Sequence, residues 1–234
     1  MLRFISKIII KFLTMPSSAN DRPTHTFEEL KKTIQPGDVV LVEGKQRIST
    51  AIKYLTQSNW SHSALCIEDG KLIEADLEKG VILVPLEKYQ GFHTRVCRPH
   101  GVSEQDLKKV ITFAKKMLGH TYDLKNIFDL LRYLIPTPPI PSSLRRKVLA
   151  FGSGDPTKAI CSSMIAQSFQ IIKYPIIPFA RDLNGEIHFT TRHHSLITPS
   201  DFDRSPYFDI VKPTIEQGFD FKTLRWSDDQ IIMV

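Results

Sequence analysis

The sequence predicts a protein of mixed helices and strands, and three observations carry that reading. In "NWSHSALCIEDGKLIEAD", residues 59–76, apolar and polar positions alternate in two runs around Asp69–Gly70, the pattern of two strands joined by a tight turn. Leu107, Val110, Ile111, Ala114, Met117 and Leu118 recur at helical spacing behind Ser103, a natural N-cap. "AICSSMIAQSFQII", residues 159–172, reads as a further helix with Cys161 in its first turn.

The other elements follow in chain order. "PSSANDRP" (16–23) has the composition of a linker. Thr26 and Glu29 make a capping box that starts a short helix running to about Ile34. "QPGD" is a turn and "VVLVEG" a strand, and "ISTAIKYLTQ" (48–57) is a helix. "GVILVP" and "HTRVCRP" supply two more strands. Gly119 stands where a helix C-terminus favours glycine. "DLKNIFDLLRYL" (123–134) is helical in pattern, and the prolines of 136–141 then forbid regular structure. "SSLRRKVLAF" is a small helix before the loop "GSGDPTK". "TPSDF" opens a turn and "YFDIVKP" is a closing strand. This organisation divides the chain into an N-terminal segment and linker over 1–20, one folded domain over 21–213 and a C-terminal tail over 214–234 without an interpretable pattern.

Composition excludes several functions. The chain has 234 residues, 41% of them hydrophobic and 24% charged, as expected of a packed globular protein. Its net charge of +6 gives only a weak preference for anionic surfaces. Three cysteines, Cys66, Cys97 and Cys161, form no CxxC pair and no zinc-ligand spacing, so no metal is expected and a reducing, cytoplasmic compartment suits them. The basic pairs 108–109 and 115–116 and "RRK" at 145–147 lack interleaved aromatics or a P-loop, which argues against nucleic acid as a partner. His193 and His194 read as surface-loop residues, and no role is assigned to His93, His100, His120 or His188.

"MLRFISKIIIKFLT" sets Arg3, Lys7 and Lys11 on one helical stripe against an apolar remainder. The apolar run falls short of the ~20 residues a membrane-spanning helix needs. An interfacial helix on a membrane, a helix packed on its own domain or a loose tail, and a cleaved signal all stay open for residues 1–14.

Cys161 and His62 carry the chemistry. A cysteine at a helix start meets unpaired backbone N–H groups and the positive end of the helix dipole, which favour the thiolate. The same N–H groups can receive an oxyanion. The plain alternative is a core cysteine on the inner face of an amphipathic helix. A thiolate nucleophile requires an imidazole within hydrogen-bond reach and a polar group to orient it. His62, opening a strand between Ser61 and Ser63, meets that need if its sheet packs on the helix of Cys161.

"PGDVVLV", "WSHSALCIEDGKLIEA", "GHTYDLKN", "AICSSMIAQSF" and "ITPSDFDRSPYFDIVKP" together resemble the permuted papain-like hydrolases of the YiiX type, within the NlpC-type superfamily that includes lecithin:retinol acyltransferase. In these proteins the histidine precedes the cysteine, as His62 precedes Cys161, the reverse of ordinary papain-like proteases. The resemblance runs from about Gln35 to Pro213. It implies an α+β fold, a small antiparallel sheet packed against a cysteine-bearing helix, and a cysteine–histidine–polar triad with no cofactor. It also implies that the third member lies on the strand after the histidine, at Glu74, where relatives commonly have histidine. Ser162 and Tyr122 are weaker candidates for oxyanion or substrate contacts. Relatives often carry an acidic residue where this chain has Ser163.

Turn length decides which acid serves His62, because side chains alternate between sheet faces. A three-residue Glu68–Asp69–Gly70 loop would pair Ile67 with Lys71 and put His62, Ala64, Leu72, Glu74 and Asp76 on one face. Glu74 then lies diagonally from His62, and Asp76, directly opposite, is the rival. The expected activity is a thiol-dependent amidase or peptidase working through a thioester. A lipid acyl hydrolase or acyltransferase at a membrane surface is the alternative, and a non-catalytic binding module of the same fold is a third. The Pro-rich insertion at 136–141 would then wall or cover the cleft.

Overall fold

The structure, a computed structural model, describes residues 15, 25–68, 70–76, 79–121, 160–183, 185–220 and 222. The N-terminal stripe, the linker, Tyr122, the 123–134 helix, the Pro-rich insertion and the 152–158 loop lie outside the described residues, as does most of the tail.

The elements run α1 (Phe27–Thr33), β1 (Val39–Val42), α2 (Arg47–Thr56), β2 (His62–Glu68), β3 (Lys71–Asp76), β4 (Gly80–Pro85), a 3-10 turn (Leu86–Tyr89), β5 (Thr94–Pro99), α3 (Glu104–Lys116), α4 (Ile160–Gln170), β6 (Phe179–Leu183), β7 (Glu186–Thr190), α5 (Pro199–Asp203), β8 (Phe208–Val211) and α6 (Pro213–Glu216). Thr26 and Glu29 form the capping box of α1, and the Ser103 side chain caps α3. "TPSDF" goes further than a turn: Thr198 and Asp201 make a second capping box, and α5 follows. The start of the tail also has structure, since α6 packs beside α1 and Gln217 donates to Thr33 Oγ1 at 3.3 Å.

Six strands form an antiparallel sheet in the order β4-β3-β2-β1-β5-β8. Its period-two alternation divides the core into two layers. Leu65, Ile67, Ile73 and Ala75 face Met164, Ile165 and Phe169 of α4 and Val110 and Ala114 of α3. Val40, Val42, Ala64, Cys66 and Leu72 face the opposite way, under Leu30 of α1 and Leu86 and Tyr89 of the 3-10 turn. The fold is therefore α+β, with a small antiparallel sheet against the helix that carries Cys161. Arg98 of β5 grips Asp38, just before β1, through two hydrogen bonds of 2.8 Å in the fork geometry that suits guanidinium and carboxylate, and donates to the Thr33 carbonyl at the end of α1 at 2.9 Å.

The β2–β3 hairpin differs in detail from its expected closure. Glu68, not Ile67, pairs with Lys71, and the register shifts between Cys66 and Glu68. That bulge takes up one residue, so Cys66 still faces Leu72 and Leu65 faces Ile73, as the three-residue loop would have arranged. Gly70 sits at φ +64, the left-handed conformation that the turn requires.

The β6–β7 hairpin was not expected from the sequence, although the dipeptide Asn184–Gly185 is a known hairpin signal. Its described side chains are exposed on both faces, so no buried periodicity announced it. Among the described residues no helix is long and apolar enough to cross a membrane.

The end of α3 joins the sheet at Gly80. Val81 N–H donates to the His120 carbonyl and Gly119 N–H to the Val81 carbonyl, both at 2.9 Å. Gly80 has φ +74, and a Cβ there would lie 2.2 Å from the His120 carbonyl oxygen. Gly80→Ala should therefore cost at least about 2 kcal/mol. Thermal unfolding should show Tm lower by about 4–8 °C.

Candidate active site

Three elements converge at the end of the sheet where β2 begins. β2 presents His62, β3 presents Glu74, and α4 brings Cys161 in its first turn. Glu74 Oε2 lies 3.3 Å from His62 Nε2. With Nε2 facing the carboxylate, Nδ1 is the nitrogen left to face Cys161, whose sulfur raises the proton affinity of the imidazole. The strand end makes this possible. Glu74 shares its face with Leu72, whereas Cys161 belongs to the opposite layer with Leu65 and Ile73. A ring on the first residue of β2 can reach both.

Burial shapes the chemistry. Glu74 is 1% exposed, Cys161 6%, and the His62 side chain 25%. Desolvation alone would neutralise all three. Burial opposes the His62 charge, yet the Cys161 charge and hydrogen bond, followed by those of Glu74, push its pKa up to about 10. Burial likewise opposes the Glu74 carboxylate, but His62, Lys88 and Tyr89 bring its pKa down to about 2. For Cys161, burial works against the thiolate, and the charge and hydrogen bond of His62, with contacts from Ser63, win and hold the thiol below its ordinary range. All three shifts favour a thiolate–imidazolium pair with a carboxylate behind it.

Lys88 and Tyr89, on the 3-10 turn after β4, both donate to Glu74. Burial and the neighbouring carboxylate raise the Tyr89 pKa, so the phenol stays a donor. Its ring also lies 6.1 Å from that of His62. Sequence reasoning missed both residues: their reach to Glu74 depends on how the 3-10 turn folds back beneath the sheet, which no linear spacing records. Ser63 was noted only as a neighbour of His62. A polar residue on the face of Leu65 and Ile67 was the signal that it had a role.

The remaining candidates are placed as follows. Asp76 accepts from the Lys79 N–H at 2.9 Å at the entry to β4. Ser162 is fully buried and its hydroxyl donates to the Ile197 carbonyl at 2.7 Å, so its backbone N–H is what it can offer a substrate oxygen. His194 is half-buried on α4, with Nδ1 2.9 Å from Ser163 Oγ and 3.1 Å from Gln167 Nε2. It is a packing residue and not a free loop side chain; its neighbour His193 is exposed. Among the described residues no three His, Cys, Asp or Glu side chains gather as metal ligands do.

A family model described as the permuted papain-like amidase enzymes YaeF/YiiX, family C92, matches residues 33–131, which include His62 and Glu74. Over that segment, which spans α+β elements of the sheet and α3, the chain is similar to the permuted papain-like amidases. The matched segment ends before α4, so Cys161 enters the site through the geometry of this structure. Among solved structures, the chain is similar to yiiX of Escherichia coli O157:H7, described as a metalloprotein, at 18% identity and a TM-score of 0.47 over 76% of this chain and 96% of that one. In a permuted papain-like fold the histidine strand comes first in the chain and the cysteine helix later, as β2 and α4 do here.

The His62–Glu74 pair should leave a pH signature. Glu74, depressed to about 2, stabilises the fold above its unfolded value near 4.5 and loses that contribution as pH falls toward 2. His62, raised to about 10, contributes fully below its unfolded value near 6.5 and loses that contribution as pH rises toward 10. Thermal melts across pH should show the Tm difference between wild type and Glu74→Gln fully developed above about 4.5, closing as pH falls toward 2 and narrowing again as it rises toward 10.

Proposed function

We propose that this protein is a cysteine hydrolase of amide bonds, with Cys161 as nucleophile, His62 as general acid and base, and Glu74 as the residue that orients the imidazole. The observation that carries the reading is the convergence of a helix-start cysteine, a strand-end histidine and a buried carboxylate in one constellation, in a chain that matches a family of amidases. The Cys161 thiolate attacks the carbonyl carbon and the carbonyl oxygen becomes an oxyanion, which backbone N–H groups of the first turn of α4 would receive.

The acid step follows from the electrostatics. The thiolate charge does most to hold the imidazolium at its high pKa. Attack turns that sulfur into a neutral thioether, so His62 becomes a stronger acid as the leaving nitrogen needs its proton. Collapse expels the amine and leaves a thioester on Cys161. His62, now neutral, takes a proton from water; the hydroxide attacks the thioester, the carboxylic acid leaves, and the thiolate–imidazolium pair returns.

A panel of fluorogenic peptide amides, phospholipids and thioesters tests the reading and separates amide from lipid acyl chemistry. Amides should be turned over. Cys161→Ala and His62→Ala should each lower kcat by about 10³-fold or more with unchanged circular dichroism. Glu74→Gln should lower it about 10²-fold. Phospholipid turnover without amide turnover would replace the substrate class, and a Cys161→Ala variant with full amide activity would remove the nucleophile.

A further inference from the structure

Ser63 is fully buried on β2, one residue from His62. Its Cα pairs with Leu41, and it shares the sheet face of Leu65 and Ile67 that packs on α4. Among the described residues its hydroxyl has no hydrogen-bond partner of ordinary geometry. An unpaired hydroxyl in a dry core is unfavourable, and alanine would fill the position better unless the hydroxyl had a task. Ser63 thus faces the layer that holds Cys161 at the start of α4, and its backbone and side chain both favour the thiolate there.

We propose that the Ser63 hydroxyl donates a hydrogen bond to the Cys161 sulfur and is a further catalytic residue of this site, stabilising the attacking thiolate; the inference rests on the reading of Cys161 as nucleophile. A hydroxyl hydrogen rotates to suit its acceptor, and an anionic sulfur is a far better acceptor than a neutral thiol. The bond therefore strengthens as the thiolate forms. His62 supplies the charge on one side, backed by Glu74, Lys88 and Tyr89, and Ser63 supplies a neutral donor from the floor of the sheet. The proton stays on Ser63 throughout. When the sulfur–carbon bond forms, the hydroxyl loses its anionic acceptor, and it regains that acceptor when the thioester is hydrolysed.

Alkylation of the full chain by iodoacetamide, followed at the Cys161 peptide by mass spectrometry from pH 5 to pH 9, tests the proposal with Tm as a second readout. At pH 6 Ser63→Ala should react about tenfold more slowly than wild type, equivalent to about 1.4 kcal/mol, with Tm lower by no more than about 3–6 °C, the shift to which that energy corresponds. Ser63→Ala with the wild-type profile, beside a His62→Ala variant that has lost its low-pH reactivity, would overturn the role of Ser63 and leave the nucleophile reading standing. Slower alkylation accompanied by a fall in Tm of about 10 °C or more would make Ser63 a packing residue and also overturn it. Wild-type Cys161 reacting at pH 6 no faster than a free thiol would bring down both.

Discussion

The site depends on one buried carboxylate. Glu74 is almost wholly removed from water in the sheet, and an isolated charge there would be neutralised at once. Three donors from two elements keep it ionised: His62 from β2, and Lys88 and Tyr89 from the turn after β4. That requirement explains why the chain makes a 3-10 turn beneath the sheet directly after β4. Tyr89 fills the layer with Ala64, Leu72 and Leu86 while its hydroxyl serves the carboxylate, so packing and electrostatics are met by one side chain. It also explains why the β2–β3 register matters so much. A slip of one residue would send Glu74 to the α4 face, away from His62 and Tyr89.

A second constraint is the end of a strand. Within a sheet a side chain sees one face only, yet a catalytic imidazole has to meet its orienting group and its nucleophile together. His62 is the first residue of β2, where the ladder to β3 has already run out and Val42 is its partner on β1. From that position its two nitrogens serve two layers, Glu74 on one side and Cys161 on the other. Ser63, the next residue, points into the Cys161 layer. Two adjacent residues on a pleated strand thus face the two layers of the core.

Much of this was legible in the sequence, for reasons that differ from residue to residue. The strands of the hairpin and the helix of Cys161 follow from hydrophobic period, and the caps at Thr26 and Ser103 from side-chain chemistry at fixed offsets. Placing Glu74 beside His62 depended on the register, and there the reasoning met a compensation. The turn is one residue tighter than expected, and a bulge near Ile67 restores the alignment. Lys88 and Tyr89 were invisible, because their contact with Glu74 arises from a tertiary reversal and no local pattern encodes it. The β6–β7 hairpin escaped for the opposite reason: with Ile187 and Phe189 both largely exposed, its alternation corresponds to no buried face.

The choice of a carboxylate as third residue has a consequence for the chemistry. A neutral partner would orient the imidazole without adding to its charge, whereas Glu74 stabilises the imidazolium and so makes it a weaker acid. Lys88 and Tyr89 temper this. By donating to the same carboxylate they share its negative charge and lower its basicity, holding its pKa near 2 while that of His62 stands near 10. With that separation the proton belongs to the imidazole in the resting state, and Glu74 does not compete for it. What remains to govern His62 is the charge on sulfur, which would change at each step of the proposed acyl transfer. The network beneath the sheet thus holds Glu74 as a fixed charge, and the proton affinity of His62 follows the state of Cys161.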